Sequence, residues 1–357
     1  MKALLIFGAR PNFMKVAPLY RAMQAGGVIE PVLVHTGQHF DQRMSDEFFQ
    51  VLELPMPDVH LGVGAGSQTA QIAKMMQLLE DVYADVSPDM TVVVGDVSST
   101  LAGALVSDIH GVPVAHVEAG LRSRDWTMPE ERNRVLTDRL SSYLFTPSAD
   151  GDANLIAEGI DPGRIHMVGN LMIDSLDWLQ PRLAPERVRA EHGLTGDYGL
   201  VTLHRAGNVD DPDSLKRIVD ALATVAQDIP LVFPVHPRTR QRLASFGLSL
   251  DEPGLLIVPP MSYLDFVSLL SEATLVLTDS GGIQEEATVL GVSCLTMRDN
   301  TERPIALEYG DNELVGSDPY RLVDAARERI ARGRPAARRP PLWDGHAATR
   351  VVDILGR

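Results

Sequence analysis

Cysteine is almost missing from this sequence, and it has no long hydrophobic run. Cys294 is the single cysteine among 357 residues, which excludes an intramolecular disulfide and any cysteine-based zinc or iron–sulfur centre. The apolar stretch near the start, residues 3–7, is too short for the core of a signal peptide or for a membrane span. We therefore expect a cytoplasmic protein that is neither exported nor inserted into a membrane.

Positive charge is also scarce. The chain has 32 lysines and arginines against 48 aspartates and glutamates, a formal net charge of −16 at pH 7. Because this balance repels a nucleic acid overall, we expect no nucleic-acid partner, and local positive groups must hold any anionic ligand. The ten histidines show none of the paired spacings of metal-binding motifs, which predicts that no metal site is present.

The length of the chain favours about two domains, and its hydrophobic pattern agrees. Short apolar runs typical of buried parallel strands alternate with segments of helical periodicity, first over 3–168 and again over 199–296. This alternation predicts an α/β protein of two doubly wound Rossmann-like domains, spanning 1–169 and 170–343. The apolar spacing of residues 344–357 predicts a helix that packs back on the first domain.

The first strand-to-helix turn reads Gly-Ala-Arg-Pro. Arg10 and Lys15 supply formal charge near a helix N-terminus, where backbone N–H groups also favour an anion. A dinucleotide-binding loop has three spaced glycines, whereas this turn has only Gly8, so we expect no nicotinamide and no other cofactor. The alternative is that Arg10 only satisfies nearby carbonyl groups.

Acidic side chains follow two predicted strands of the first domain. Asp96 and Glu118 each come at the end of a buried run. Because ligands of open parallel sheets bind outside the carboxyl ends of the strands, both carboxylates should point into one crevice. Glu130 and Glu131 open the next helical segment, which also contains Arg134, and they add a further candidate acid. A lone strand-end acid is often only a helix N-cap, and this alternative stays open.

Two histidines end predicted strands of the second domain. His204 follows the first strand, and His236 follows the second, with Arg238 two residues later. Because these positions also lie at carboxyl ends of parallel strands, both histidines are candidates for a ligand site. A structural role for each histidine is the alternative.

The strongest motif is an Asp-Ser-Gly-Gly turn between a predicted strand and a helix. Ser280, Gly281 and Gly282 can present hydroxyl and N–H groups to a phosphate. Glu285 or Glu286 in the helix that follows can accept two ribose hydroxyls. This combination suits a nucleoside diphosphate. An N-capped helix with acidic residues near its start explains the serine and the glutamates but leaves the glycine pair without a reason.

Together these motifs, which extend over nearly the whole chain, resemble the non-hydrolysing UDP-N-acetylglucosamine 2-epimerase family. The resemblance implies the glycosyltransferase-B fold, in which two domains face a central cleft, and it implies a homodimer. The residues that it implies for catalysis are Asp96, Glu118, Glu130 and His204. The residues that it implies for substrate binding are Arg10, Lys15, Arg134, His236, Arg238, Phe266, Ser280, Gly281, Gly282, Glu286 and Arg303.

The resemblance implies interconversion of UDP-N-acetylglucosamine and UDP-N-acetylmannosamine. C2 of the sugar has no adjacent carbonyl, so UDP must leave first and create positive charge at C1. A carboxylate then removes the acidified C2 proton and leaves a glycal. Return of a proton to the opposite face, followed by re-addition of UDP, inverts C2 without metal or cofactor. The residues do not decide which acid serves which face.

Two positions depart from the usual pattern of the family. Asn12 stands in the first turn where an acid is common, and Gly207 stands where a His-Arg-Xaa-Glu-Asn pattern has its acid. A missing carboxylate can change which sugar substituent is recognised. The alternatives are a hydrolysing epimerase that releases free sugar and UDP, a 2-epimerase of another nucleotide sugar, a glycosyltransferase and a nucleotide-sugar sensor.

Overall fold

The first structural unit is built on a parallel sheet of seven strands. The computed structural model describes residues 1–37 and 42–357, and all of their side chains except those of 42–46. Unit 1 comprises Met1–Trp178 and Pro341–Arg357. Its strands are β1 (Lys2–Phe7), β2 (Glu30–His35), β3 (Val59–His60), β4 (Met90–Val94), β5 (Val114–Val117), β6 (Tyr143–Thr146) and β7 (Ile165–Met167). They pair in the order β3-β2-β1-β4-β5-β6-β7.

Helices connect these strands and cover the sheet. The side chains of Leu4, Ile6, Val34 and Val93 share one apolar cluster with the helix residue Leu79, so apolar side chains of the central strands make the core. The helices of unit 1 are α1 (Arg10–Gly26), α2 (Gln42–Val51), α3 (Gln68–Val86), α4 (Ser98–Ile109), α5 (Pro129–Leu140), α6 (Ala149–Ala157), α7 (Leu171–Leu179) and, at the end of the chain, α16 (Ala347–Leu355).

Unit 2, Leu179–Pro340, has the same architecture with six parallel strands. The strands are β8 (Gly199–Thr202), β9 (Leu231–Pro234), β10 (Leu255–Val258), β11 (Leu275–Thr278), β12 (Ser293–Thr296) and β13 (Asn312–Leu314), paired in the order β10-β9-β8-β11-β12-β13. The helices are α8 (Pro185–Glu191), α9 (Ala206–Val209), α10 (Pro212–Val225), α11 (Pro237–Phe246), α12 (Tyr263–Glu272), α13 (Gly281–Leu290), α14 (Pro304–Tyr309) and α15 (Pro319–Arg332).

The prediction of two doubly wound α/β domains is confirmed. In each sheet the strand order reverses beside the first strand, at β1 and β4 in unit 1 and at β8 and β11 in unit 2, which is the switch point where such sheets bind ligands. Within the described ranges, none of the helices combines the length and apolar character that a membrane crossing requires.

The division between the units differs from the expected one at residues 169 and 170. Unit 1 continues to Trp178 because residues of α7 contact α1. Ser175 Oγ donates to the carbonyl of Met14, and the Arg21 guanidinium lies 4.1 Å from the ring centre of Trp178. The chain returns to unit 1 at Pro341, three residues before the expected start of the last helix at Asp344.

A buried carboxylate holds the C-terminal helix on unit 1. The Asp174 side chain on α7 accepts the backbone N–H groups of Ala347 at 3.1 Å and Ala348 at 2.7 Å, the first two residues of α16. Burial raises the pKa of Asp174, and these two hydrogen bonds oppose the rise. Trp343, which is buried, donates its indole N–H to the carbonyl of Pro147. These contacts explain why α16 packs against α1.

Replacing Asp174 by alanine should lower the free energy of unfolding by about 1 to 3 kcal/mol, because two N–H groups at a buried helix end lose their acceptors. Urea titration followed by circular dichroism measures this loss. Asp353→Ala, on the exposed side of the same helix, is the control and should unfold like the natural protein. Equal stability of the two variants would show that the carboxylate does not hold the helix.

Candidate active site

Two carboxylates at strand ends of unit 1 are each paired with a cation. Asp96, which follows β4, forms an ion pair with Arg134 of α5. Glu118, which follows β5, forms an ion pair with Lys15 of α1. The side chains of Lys15 and Glu118 are only 8% and 10% exposed, so little water screens this pair. Unit 1 thus brings together four of the predicted site residues.

The backbone at these strand ends is unusual. Glu118 has a φ of 72°, in the left-handed region that residues other than glycine rarely adopt. Gly95 also has a positive φ, and a Cβ there would lie 3.1 Å from Lys15 Nζ and 3.4 Å from Glu118 Oε2. A side chain at position 95 would therefore press on the ion pair. Strained residues of this kind concentrate at functional sites.

The two glutamates at the start of α5 have different surroundings. Glu131 is 1% exposed and accepts the N–H and hydroxyl of Ser123, the N–H of Arg124 and the guanidinium of Arg134. Glu130 is half-buried, and its side chain makes no hydrogen bond or ion pair within residues 1–37 and 42–357. Glu131 therefore stabilises the loop before α5, while the Glu130 carboxylate is available to a ligand.

A buried histidine lies behind the strand-end acids. His116 Nε2 lies 2.7 Å from the carbonyl of Gly95, and Nδ1 lies 2.7 Å from Asp138 Oδ1. Burial alone would raise the pKa of Asp138, but His116 and Arg122 outweigh it and lower this pKa. The ring of His116 thus joins Asp138 to the Gly95 backbone, next to Asp96, and holds this backbone in place.

The first turn of unit 1 contains Arg10 and the unexpected Asn12. Asn12 Oδ1 accepts the N–H of Ala9 at 3.0 Å, and its Nδ2 donates to the carbonyl of Val94 at 3.0 Å. The amide therefore joins the turn to the end of β4, which a carboxylate cannot do because it has no donor. The Arg10 guanidinium lies 5.1 Å from the ring centre of Phe48.

In unit 2, the partly exposed His204 forms a dyad with a buried aspartate. Its Nδ1 lies 2.9 Å from Asp279 Oδ1, and the Asp279 carboxylate also accepts the N–H groups of His204 and Arg205 and the amide of Asn208. Burial would raise the pKa of Asp279, but these bonds lower it. Because the carboxylate fixes the proton on Nδ1, Nε2 is the nitrogen available for proton transfer. Our sequence reasoning missed Asp279, although it ends β11 as Asp96 ends β4.

The predicted phosphate motif forms the start of α13. Ser280 is the N-cap residue and Gly281 begins the helix. A Cβ at Gly281 would lie 2.5 Å from Arg303 Nη1, so glycine lets the guanidinium approach the helix N-terminus. Arg303 is held by Glu285, at 3.0 Å. Gly282 follows in the first turn of α13. The N–H groups and the guanidinium together favour an anion.

Excess positive charge surrounds this helix start. The buried carboxylate of Glu302 contacts the guanidinium groups of Arg205, Arg298 and Arg303 at 3.3, 2.7 and 3.3 Å. With Glu285, the cluster has two carboxylates against three guanidinium groups. A dianionic group at α13 would meet a net positive surrounding, which strengthens its binding in a site of low exposure.

Glu286 faces a tyrosine inside unit 2. The Tyr263 hydroxyl donates to Glu286 Oε1 at 2.6 Å. Burial raises the pKa of Glu286 to about 7, and the hydrogen bond from Tyr263 opposes this shift. Phe266 lies on the same helix as Tyr263, α12, half-buried against the core. Burial of the ionised Glu286 side chain is therefore unfavourable in free energy. Groups with strongly shifted pKa values of this kind cluster at functional sites, which fits a role in ligand binding.

Glu286→Gln should stabilise the protein at pH 8 and weaken UDP binding. The ionised form is disfavoured in the fold, so stability falls as pH rises from about 4 to about 7, and the neutral amide avoids a cost of about 1 to 3 kcal/mol. Loss of a charged acceptor should weaken UDP binding about tenfold. Thermal melts at pH 5 and pH 8, with UDP titration calorimetry, test this. A variant that melts lower at pH 8 would contradict it.

The predicted residues His236 and Arg238 have separate surroundings in unit 2. The rings of His236 and His204 lie 5.8 Å apart, so His236 belongs to the neighbourhood of the dyad. The Arg238 side chain forms an exposed ion pair with Asp210. A Cβ at Gly207 would meet no heavy atom of the described residues within 4 Å, so packing does not force the absence of an acid at that position.

Comparisons with known sequences give a consistent result. A family model described as UDP-N-acetylglucosamine 2-epimerase matches residues 21–356. The chain is 42% identical to UDP-N-acetylglucosamine 2-epimerase of Methanocaldococcus jannaschii, over 99% of both chains. It is 40% identical to UDP-2,3-diacetamido-2,3-dideoxy-D-glucuronate 2-epimerase of Pseudomonas aeruginosa, over the whole of both chains.

Solved structures agree with the sequence comparison. A crystal structure of the Methanocaldococcus jannaschii UDP-GlcNAc 2-epimerase in complex with UDP-GlcNAc and UDP superposes with a TM-score of 0.92 and covers 99% of both chains. The UDP-GlcNAc 2-epimerase of Neisseria meningitidis, bound to UDP-GlcNAc, is 30% identical and gives a TM-score of 0.89, again over 99% of both chains.

Proposed function

The chain belongs to the UDP-N-acetylglucosamine 2-epimerase family, and we propose that it interconverts UDP-N-acetylglucosamine and UDP-N-acetylmannosamine by eliminating and re-adding UDP. The observation that carries this proposal is the buried Lys15–Glu118 pair on the crowded Gly95 turn. It supplies a carboxylate at the carboxyl end of β5, the strand beside the switch-point strand β4, with its orientation fixed by a cation and a strained backbone. Asp96 with Arg134, and the unpaired Glu130, supply the further acid/base groups that inversion requires.

We assign UDP binding to unit 2. The N–H groups of Gly281 and Gly282 and the Arg303 guanidinium suit the diphosphate, Phe266 suits the base and Glu286 suits the ribose. Stabilisation of the departing diphosphate at this helix start makes cleavage at C1 possible. The acidified C2 proton then passes to a carboxylate of unit 1, and a second group returns a proton to the opposite face.

The His204–Asp279 dyad supports an acid/base role in the same reaction. With Nδ1 held by Asp279, the ring can carry a proton on Nε2 and release it without reorientation. The dyad would not be needed by a sensor that only binds the nucleotide sugar. It therefore favours an enzyme over a binding protein.

A panel of nucleotide sugars tests the proposed reaction. UDP-N-acetylglucosamine should give UDP-N-acetylmannosamine, with free UDP at no more than trace level. UDP released in step with turnover would mean the hydrolysing reaction instead. Transfer of the sugar only when an acceptor is added would mean a glycosyltransferase.

The panel of nucleotide sugars should include a second candidate substrate. The 40% identity to the diacetamido-glucuronate 2-epimerase, together with Gly207 in place of an acid, favours UDP-2,3-diacetamido-2,3-dideoxy-D-glucuronate as an alternative. Loss of a carboxylate removes repulsion toward the carboxylate of that sugar. A higher kcat/KM on this substrate would decide for it.

We propose that the protein acts as a cytoplasmic homodimer and binds no nucleic acid. The net charge of −16 opposes nucleic-acid binding. Ile109 and Leu136, on the neighbouring helices α4 and α5, are 66% and 51% exposed, which suits an apolar contact with a second copy. Sedimentation equilibrium should therefore report twice the chain mass, and a monomer at micromolar concentration would reject the dimer.

A further inference from the structure

Unit 1 has a cavity beside the Lys15–Glu118 pair that the proposed function does not use. Its volume, counted as the space open to the centre of a water-sized sphere, is about 10 Å³. Lys15, Glu118 and Asn170 give it polar groups, while Val117, Pro147 and Leu171 form apolar walls. A cavity of this size holds about one water-sized group, so it fits a single small substituent of a larger ligand, such as a hydroxyl, rather than a nucleotide.

In the Asn170 side-chain amide, Oδ1 is hydrogen-bonded, whereas Nδ2 is not bonded to any of the described residues. Its Oδ1 accepts the N–H of Met172 at 2.9 Å, and its backbone carbonyl accepts the N–H of Ile173, so it caps the start of α7. Because an acceptor role fixes Oδ1 toward the helix, Nδ2 is the other end of the amide. Nδ2 is buried and has no hydrogen-bond partner among the residues that the structure describes. Asn170 as a whole is 5% exposed.

A buried amide donor without an acceptor is unfavourable, and native proteins rarely keep one without a reason. Asn170 and Glu118 line the same small cavity. The residues around the cavity thus include an amide donor without a partner, Nδ2 of Asn170, and a carboxylate acceptor, Glu118. A hydroxyl group matches both at once, since it accepts one hydrogen bond and donates another.

We propose that Asn170 is a substrate-binding residue whose Nδ2 donates to a hydroxyl oxygen of the hexose, while that hydroxyl donates to Glu118. The proposal rests on the proposed function, because it takes a nucleotide sugar as the ligand. Binding of one ring hydroxyl in this cavity orients the sugar against the carboxylate. Asn170 would thus help to select the sugar, while UDP binding belongs to unit 2.

Two substitutions separate this role from the capping role. Asn170→Ser keeps an oxygen that can cap α7 but removes the Nδ2 donor, whereas Asn170→Ala removes both. We expect both variants to lose about tenfold or more in kcat/KM for UDP-N-acetylglucosamine, while only Asn170→Ala melts at a lower temperature. The dissociation constant of UDP alone should not change in either variant.

Deoxy substrates identify the hydroxyl. The natural protein and Asn170→Ser are compared on UDP-N-acetylglucosamine and on its 3-, 4- and 6-deoxy analogues. For one analogue, removal of the hydroxyl should lower kcat/KM much less in Asn170→Ser than in the natural protein, because the variant already lacks the hydrogen bond to that hydroxyl. Equal losses for all three analogues in both proteins, or an Asn170→Ser variant with unchanged kcat/KM, would overturn the proposal.

The experiment also separates this proposal from the proposed function. If the natural protein binds UDP-N-acetylglucosamine but does not epimerise it, the proposed reaction fails. The same comparison made with dissociation constants still decides the role of Asn170. UDP-glucose, which lacks the acetamido group, is measured in the same way. If it is the only analogue that loses less in Asn170→Ser than in the natural protein, the cavity binds the acetamido group and the hydroxyl assignment is overturned.

Discussion

Replacing Glu130 by glutamine should lower kcat roughly 100- to 10,000-fold, the range for loss of a positioned acid or base. The effect should be confined to catalysis, because the Glu130 side chain makes no hydrogen bond or ion pair with the described part of the chain. Asp96→Asn and Glu118→Gln should also lower kcat strongly, but each of them breaks an ion pair, with Arg134 and with Lys15. Steady-state kinetics together with thermal melts measures both effects.

Glu131→Gln is the matched control for Glu130→Gln. The two side chains are neighbours on one helix, but Glu131 accepts four hydrogen bonds from the loop before α5 and from Arg134. Its substitution should lower the melting temperature, whereas Glu130→Gln should not. If Glu130→Gln keeps the natural kcat, the acid/base group of α5 has been assigned to the wrong residue.

Asp279→Asn should lower kcat on the order of 100- to 1,000-fold, because the ring of His204 is then no longer held in the tautomer that carries its proton on Nδ1. An amide can present its N–H to Nδ1, which then becomes an acceptor and moves the proton to Nε2. UDP binding should persist, since Ser280 and Gly281 keep their backbone N–H groups. Rates measured at saturating substrate, with calorimetry of UDP binding, separate the two quantities.

The control for this substitution is Asp228→Asn. Asp228 pairs with Arg327 on the exposed surface of the same unit, at 2.8 Å. Exposed pairs of this kind contribute little, so this variant should behave like the natural protein. An Asp279→Asn variant with the same kcat as Asp228→Asn would show that His204 takes no part in proton transfer.

The sequence predicted the central strands because each of them is an apolar run. It missed β3 and β13, which have two and three residues at the edges of the sheets. Their residues, Val59–His60 and Asn312–Leu314, are partly exposed and mixed in polarity, so no hydrophobic pattern marks them. Pairing with β2 and β12 makes them strands, and pairing is a tertiary property.

The apolar runs of the sequence were enough to place Asp96, Glu118 and His204 after the carboxyl ends of β4, β5 and β8, because each residue follows such a run closely in the chain. The same pattern could not distinguish Glu130 from Glu131, since they are neighbours in the sequence and only packing decides which carboxylate meets Ser123. It also missed Tyr263, whose hydroxyl reaches Glu286 across 23 positions of the sequence. Contacts of this range depend on packing and leave no local pattern.

The reaction run in deuterium oxide tests the central claim most directly. Elimination of UDP requires that the C2 proton leaves the sugar and that a solvent-derived proton returns. Proton NMR of UDP-N-acetylglucosamine and UDP-N-acetylmannosamine at equilibrium should therefore show deuterium at C2 of both epimers, with no added metal or cofactor. Retention of the original hydrogen at C2 through many turnovers would contradict the elimination route and the acid/base roles assigned to unit 1.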